Sequence, residues 1–283
     1  MKIRTDIAAE SNVLVNSVPD GVYQNIETIN NLKIIRIKIQ TQEGSNKLGR
    51  PIGNYITLES PQLLMPENID SIQSVLAKEL DKFIVDKKSV LIIGLGNKNI
   101  TPDAIGPSTA ENIIASRHFK GELEKSLGLL KLRSVSVMAP GVLGQTGIET
   151  AEIIKSISNE IKPDLVIAID ALAARSLDRL GTTIQLTDSG ISPGSGVENK
   201  RAEISEKTLN IPVVAIGMPT VVDMQTIALD ICAKGLSKSS QSMMVTPRNI
   251  DQIISRSSLL LSGAINQALF PSLSAEELNA LCS

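Results

Sequence analysis

Cysteine and histidine are the scarcest chemistry-bearing residues in this chain of 283 amino acids, with two of the first and one of the second. Cys232 and Cys282 lie far apart with no metal-ligand spacing around them, which excludes a disulfide framework or a zinc site and leaves two reduced structural thiols. A single histidine cannot build a His-rich metal site within one chain, and any Ser/His/Asp or Cys/His arrangement would have to use His118. That residue stands in ENIIASRHF at the expected end of a helix, where a cation meets the helix dipole favourably; a structural role is the plainer reading. There is no excess of positive charge either. The formal net charge of -2 gives none of the phosphate-neutralising surface that nucleic-acid binding requires. Long apolar runs are also missing. The N-terminus MKIRTDIAAES has no apolar signal region, and no window approaches the roughly 18 uninterrupted apolar residues of a membrane span. A soluble protein of the cytoplasm, with neither nucleic acid nor membrane as partner, is the expectation.

What is present is an ordinary globular composition, 42% hydrophobic and 20% charged, with ample material for a core. NLKIIRIKIQ, residues 31–40, alternates apolar and polar residues like a half-buried strand, and NYITLES repeats the pattern after the polar, turn-rich TQEGSNKLGRPIG. These two strands are expected to pair antiparallel. A helix over about 68–85 follows, with Ile72, Val75, Leu76, Leu80 and Phe83 on one face. The rhythm then changes to short continuous apolar runs, SVLIIGLG, VSVMAPG, DLVIAIDA, TTIQLTD and IPVVAIGMP, each ending in a turn. Strands buried on both faces and alternating with helices, near 103–118, 147–160, 220–233 and 247–268, indicate an α/β fold with a mostly parallel sheet flanked by helices. The whole of 1–283 reads as a single α/β domain: an N-terminal antiparallel strand pair in 1–65, a catalytic α/β portion in 86–235, and C-terminal helices in 240–283, the last from PSLSAEELNAL.

In an open parallel sheet the ligand crevice lies outside the carboxyl ends of the strands. Two acids stand out there: Asp103, just after SVLIIGLG, and Asp170, read as the terminal residue of DLVIAID; Asp188, closing a more polar run, ranks third. Asp170 starts from an apolar setting, where burial favours the protonated form. The bland alternatives are a first-turn acid behind an N-cap at Thr101 for Asp103, and an N-cap or turn acid for Asp170. Two carboxylates across one water can divide the work of hydrolysis, one taking a proton and one giving it, with no histidine needed. They could equally hold Mg²⁺ beside a phosphate. APGVLGQTGIET, with Gly141, Gly144 and Gly147, and SGISPGSGVENKR, with Gly190, Gly194 and Gly196 before Lys200 and Arg201, are either anion-binding backbone nests or simple tight turns. Gly94 and Gly96 begin a dinucleotide fingerprint, but its third glycine is replaced by Asn99.

Taken in order, GLGNKNITPDAIGP, APGVLGQTGIET, DLVIAIDALAARS, TTIQLTDSGISPGSGVENKR and IPVVAIGMPTVVD resemble the sequence blocks of the germination protease family of spore-forming bacteria, and RTDIAAES and LGRPIGNYITLES fit it too. The resemblance implies an atypical aspartic endopeptidase that degrades small acid-soluble spore proteins in the spore core during germination. It implies a homotetramer, a phosphorylase/hydrolase-like fold akin to that of hydrogenase-maturation endopeptidases, no cofactor, and a catalytic pair matching Asp103 in TPDAIGP and Asp170 in AIDALAARS. The family is made as zymogens with an N-terminal pro-segment. RTDIAAES here starts three residues after Met1, so a very short pro-segment or a mature-like form is expected. A nucleotide- or phosphate-binding module and a Mg²⁺-dependent phosphoester hydrolase stand behind the protease reading.

Overall fold

The structure, a computed structural model, describes residues 5–13, 18–119, 132–194, 202–232 and 243–273, together with Glu277. It begins with a short helix, α1 (Ala8–Val13), followed by a hairpin of β1 (Val22–Ile29) and β2 (Leu32–Ile39). The hairpin turn is Asn30-Asn31, both left-handed at φ 48° and 64°. Asn tolerates that conformation, and two such residues give the turn the twist that antiparallel strands need. β2 pairs next with β3 (Gly53–Glu59) antiparallel, from Lys33 opposite Glu59 to Ile39 opposite Gly53, as its alternation and that of NYITLES lead one to expect. The polar segment between them is not a turn but a helix, α2 (Gln42–Leu48). Thr41 caps it by accepting the Gly44 N–H at 3.1 Å, and Gly49 ends it in the left-handed region.

α3 (Ile69–Ile84) buries Ile72, Leu76, Leu80 and Ile84, with Val75 and Phe83 half-buried beside them. Then come β4 (Ser89–Gly94), α4 (Ile105–Ala110), β5 (Ser134–Met138), α5 (Leu143–Thr146), α6 (Thr150–Ile161), β6 (Leu165–Ala174), β7 (Thr183–Thr187), α7 (Glu206–Leu209), β8 (Val213–Asp223), α8 (Met224–Cys232), β9 (Met244–Val245) and α9 (Ile250–Leu269). One sheet runs in the order β1-β2-β3-β7-β8-β6-β4-β5, with β9 added to β8. Its core, β5-β4-β6-β8, is parallel. Helices α3, α4 and α9 cover one face, while Ile154 of α6 and Leu209 of α7 pack on Leu91, Ile93 and Val166 of the other. Such two-sided cover is why β4 and β6 read as continuous apolar runs.

Four boundaries differ from the sequence reading. β7, expected within the parallel series, is antiparallel to both β3 and β8, because the chain returns from β6 through a short turn at Leu177–Arg179 with no crossover helix. β6 does not stop at Asp170, nor β8 at Met218-Pro219. The two stay paired to Ala174 and Val222 across a bulge at Leu172/Ala173, where Pro219 is accommodated, so α8 starts only at Met224. The helix expected over 103–118 ends at Ala110, and Asn266 of α9 meets the backbone beyond it: its amide donates to Asn112 O at 2.9 Å and accepts Ile114 N–H at 3.0 Å. His118 consequently lies in an exposed turn, edge-on to Phe119 with ring centroids 4.4 Å apart, and not at a helix end. α9 agrees with the helix read at 247–268; most of the short helix read into PSLSAEELNAL lies outside the described residues, as do Gly196, Lys200, Arg201 and Cys282.

Candidate active site

The carboxyl edge of the parallel strands opens into a cavity of about 560 Å³. β4 delivers one wall. After Gly94 the Leu95 N–H donates to Ile169 O of β6 at 2.8 Å, and Gly96 then turns the chain at φ 112°. A side chain at Gly96 could not be housed: its Cβ would stand 2.1 Å from the Asp103 carbonyl oxygen. The loop doubles back through Ile100 N–H to Asn97 O (3.0 Å) and Asp103 N–H to Ile100 O (2.8 Å), and Pro102 takes the second position of the 3-10 turn Thr101–Asp103. Thr101 is not an N-cap but the first residue of that turn. The Asp103 carboxylate faces backwards and accepts the Asn97 N–H on Oδ2 at 2.7 Å.

Asp170 comes from the neighbouring strand. It is the sixth residue of β6, 5% exposed, with Oδ1 accepting the Ala171 N–H at 2.9 Å. Placing it inside the strand rather than at its end corrects the sequence reading, yet the consequence survives: the 3-10 turn carrying Asp103 packs on β6, and both acids line the one cavity. α4 can approach the strands that closely because its first turn carries Gly106, where a Cβ would meet Leu95 O at 2.1 Å and Ile169 O at 2.5 Å. Asp188 does not line the cavity. Its two oxygens accept the backbone and side-chain N–H groups of Asn54, at 2.7 and 2.6 Å, and fasten β7 to the start of β3.

The opposite wall was not found from the sequence. Asp6 lies along the part of β6 beyond the reach of β4, exchanging hydrogen bonds with Ala173: its N–H to Ala173 O at 2.8 Å, and Ala173 N–H to its Oδ2 at 2.9 Å. Gln185 of β7 holds this segment from below, donating to Asp6 O at 2.8 Å and accepting Ala8 N–H at 2.6 Å. Arg50 donates to Thr5 O, and is the only cation among the described residues of the lining, against Asp6, Asp103, Asp170 and Glu203. Burial pushes the Arg50 guanidinium below its usual range, with Asp6, Tyr55 and Glu10 opposing. The Tyr55 hydroxyl, also on this wall, is pushed up by burial. The signal for this wall was present only as RTDIAAES, which has no periodicity, and LGRPIG, the end of a segment that reads simply as turn-rich.

The two glycine-rich loops reach the same place. Gly190 and Gly194 line the cavity directly. From the first loop Thr150 lines it, and Gln145 donates to Asn97 Oδ1 at 2.8 Å. Among the described residues no three His, Cys, Asp or Glu side chains are grouped to hold a metal ion, and no helix is long and apolar enough to cross a membrane.

The chain has relatives among known proteins. The family model described as germination protease matches residues 4–234. A germination protease of Caldanaerobacter subterraneus subsp. tengcongensis is 42% identical over 99% of this chain and 98% of its own length. That of Clostridium tetani is 38% identical over 99% of both. Among solved structures, a NiFe hydrogenase maturation protease HycI from Thermococcus kodakarensis KOD1 aligns at 18% identity with a TM-score of 0.38, over 66% of this chain and 98% of that one.

Proposed function

The chain belongs to the germination protease family and is a peptidase; from that premise we propose that it is an endopeptidase of the spore core that hydrolyses small acid-soluble spore proteins with Asp103 and Asp170 as its catalytic pair. The observation that carries the reading is the convergence of two acids from separate segments, one on a β4 loop and one inside β6, on a single cavity at the carboxyl edge of the sheet. A peptide bond spanning the cavity sets its carbonyl carbon beside a water held between the two acids. The ionised carboxylate takes a proton as the water oxygen bonds to that carbon. The protonated partner passes its proton toward the amide nitrogen as the C–N bond breaks, leaving a carboxylic acid and an amine from one amide and one water. Because the pair shares one proton, like-charge repulsion is avoided and each acid ends in the other's starting state.

The charge of the lining supports a peptide over a phosphate ligand. Four carboxylates against the single cation Arg50, counted among the described residues, disfavour an anion. Self-association belongs to the same reading, as a homotetramer. The outer strand β1 leaves Tyr23 61% and Ile26 53% exposed on an edge of the sheet, a surface that proteins usually cover. Incubating the protein with a purified small acid-soluble spore protein and mapping the fragments by mass tests the function. Cleavage at a few internal peptide bonds is the expected pattern; an intact substrate, or trimming from the ends only, would refute it.

A further inference from the structure

We propose that Gln145 is a positioning residue for Asp103, acting through Asn97 across the two loops that meet at the carboxyl edge of the sheet; the proposal rests on the two-aspartate reading. The Asn97 N–H donates to Asp103 Oδ2 at 2.7 Å. The Asn97 side chain is itself tied down twice, its Oδ1 accepting Asn99 N–H at 3.0 Å and Gln145 Nε2 at 2.8 Å. Gln145 is in turn oriented by Val142, whose N–H donates to its Oε1 at 3.4 Å. Each amide oxygen therefore faces a backbone N–H, so neither amide can flip without opposing donor to donor, and the direction of the chain from Gln145 to Asn97 to Asp103 is fixed.

The relay adds a tie between two loops to the bonds the β4 loop makes within itself. Lys98, Asn99 and Ile100 are exposed, and the Lys98–Glu111 pair on its outer side is a solvent-facing contact. Gln145, although exposed, reaches across from α5 to a residue 48 positions earlier in the chain. This gives the glycine-rich APGVLGQTGIET a task that neither a phosphate nest nor a bare turn would explain. A hydrogen bond at such a site adds little to global stability. A carboxylate displaced by about 1 Å from its water, in contrast, costs on the order of 100-fold in rate. Stability and turnover should therefore separate.

The test is the steady-state cleavage of a purified small acid-soluble spore protein by Gln145→Glu, Gln145→Ala, Asn97→Ala and the double variant Gln145→Ala/Asn97→Ala, with Asp103→Asn run alongside. Gln145→Glu keeps size and the acceptor for Val142 but turns the donor into an oxygen facing Asn97 Oδ1. The expected result is a fall in kcat of about tenfold or more in Gln145→Glu and Gln145→Ala, with KM and Tm near wild type, and a double variant no worse than Asn97→Ala alone. Wild-type kcat in Gln145→Glu, or losses that multiply in the double variant, or a fall in kcat that merely tracks a fall in Tm, would overturn the relay while an inactive Asp103→Asn leaves the two-acid reading standing. Activity in Asp103→Asn would remove both.

Discussion

Gly96→Ala is the smallest change that should disable the site without touching an acid. At φ 112° an L-residue is strained by about 1–3 kcal/mol, and the new Cβ would sit 2.1 Å from a backbone oxygen, that of Asp103. Real Cβ contacts stay above 3.0 Å, so one side must yield by about 1 Å, and neither is a flexible side-chain tip. The β4 side is anchored through Leu95 to Ile169, so the movement falls on the turn that carries Asp103. Two consequences follow: a Tm lower by a few degrees, and a kcat/KM reduced on the order of 100-fold. Gly181→Ala is the control. Its φ of 69°, in the left-handed region, also disfavours alanine, but the atoms nearest the added Cβ belong to the Ile253 side chain, at 3.1 Å, and the residue does not line the cavity. Thermal melts and cleavage assays should show both variants destabilised but a loss of activity in the folded protein only for Gly96→Ala. Wild-type turnover in Gly96→Ala would refute the claim that this glycine sets the position of Asp103.

Three further outcomes can be checked by denaturation and cleavage. Arg133 closes the ends of two helices by donating to the carbonyls of Ile84, Lys87, Ala268 and Leu269, so Arg133→Met should cost on the order of 3 kcal/mol in urea unfolding; a loss below about 1 kcal/mol would mean these bonds are replaced by water at no expense. Asp188→Ala should lose about 1–3 kcal/mol, since Asn54 forfeits both partners, while the folded fraction still cleaves substrate; complete inactivity of a folded variant would promote Asp188 into the chemistry. Burial alone would raise the Glu79 carboxyl, but hydrogen bonds from Arg36 and Lys82 outweigh it and hold the group below the usual carboxylate range. A depressed value in the folded state gives stability that is present above the unfolded value and lost as pH falls through the folded one. Glu79→Gln should accordingly unfold more easily near neutral pH and show a shallower loss of stability on acidification; an unchanged acid dependence would contradict the assignment.

Strands whose environment is uniform were legible in the sequence. β2 alternates over its second half, where Ile35, Ile37 and Ile39 pack into one cluster while Arg36 and Lys38 point the other way, and β4 and β6 are continuous because both faces are covered. What could not be read was set by contacts distant in the chain. β1 has burial at Val22 and exposure thereafter, so it carries no period at all. α4 is cut short where Asn266, some 150 residues later, meets the backbone, and β6 outruns its apolar stretch because β8 continues beside it. The same division holds at the site. Asp103 and Asp170, which line the cavity, stand out by their place after apolar runs, a local signal, although Asp170 is internal to its strand. Asp6, Arg50 and Gln185 escaped because their positions depend on the N-terminal segment crossing to the extension of β6, which no local pattern announces.

The most direct test of the central claim is the rate of substrate cleavage by Asp103→Asn and Asp170→Asn, each checked for native fold and assembly. Asn keeps the shape of each side chain and can neither take nor carry the proton. If the two acids do the hydrolysis, both variants remain folded and lose nearly all turnover, by a factor on the order of 1,000 or more. Either variant cleaving at the wild-type rate would contradict it.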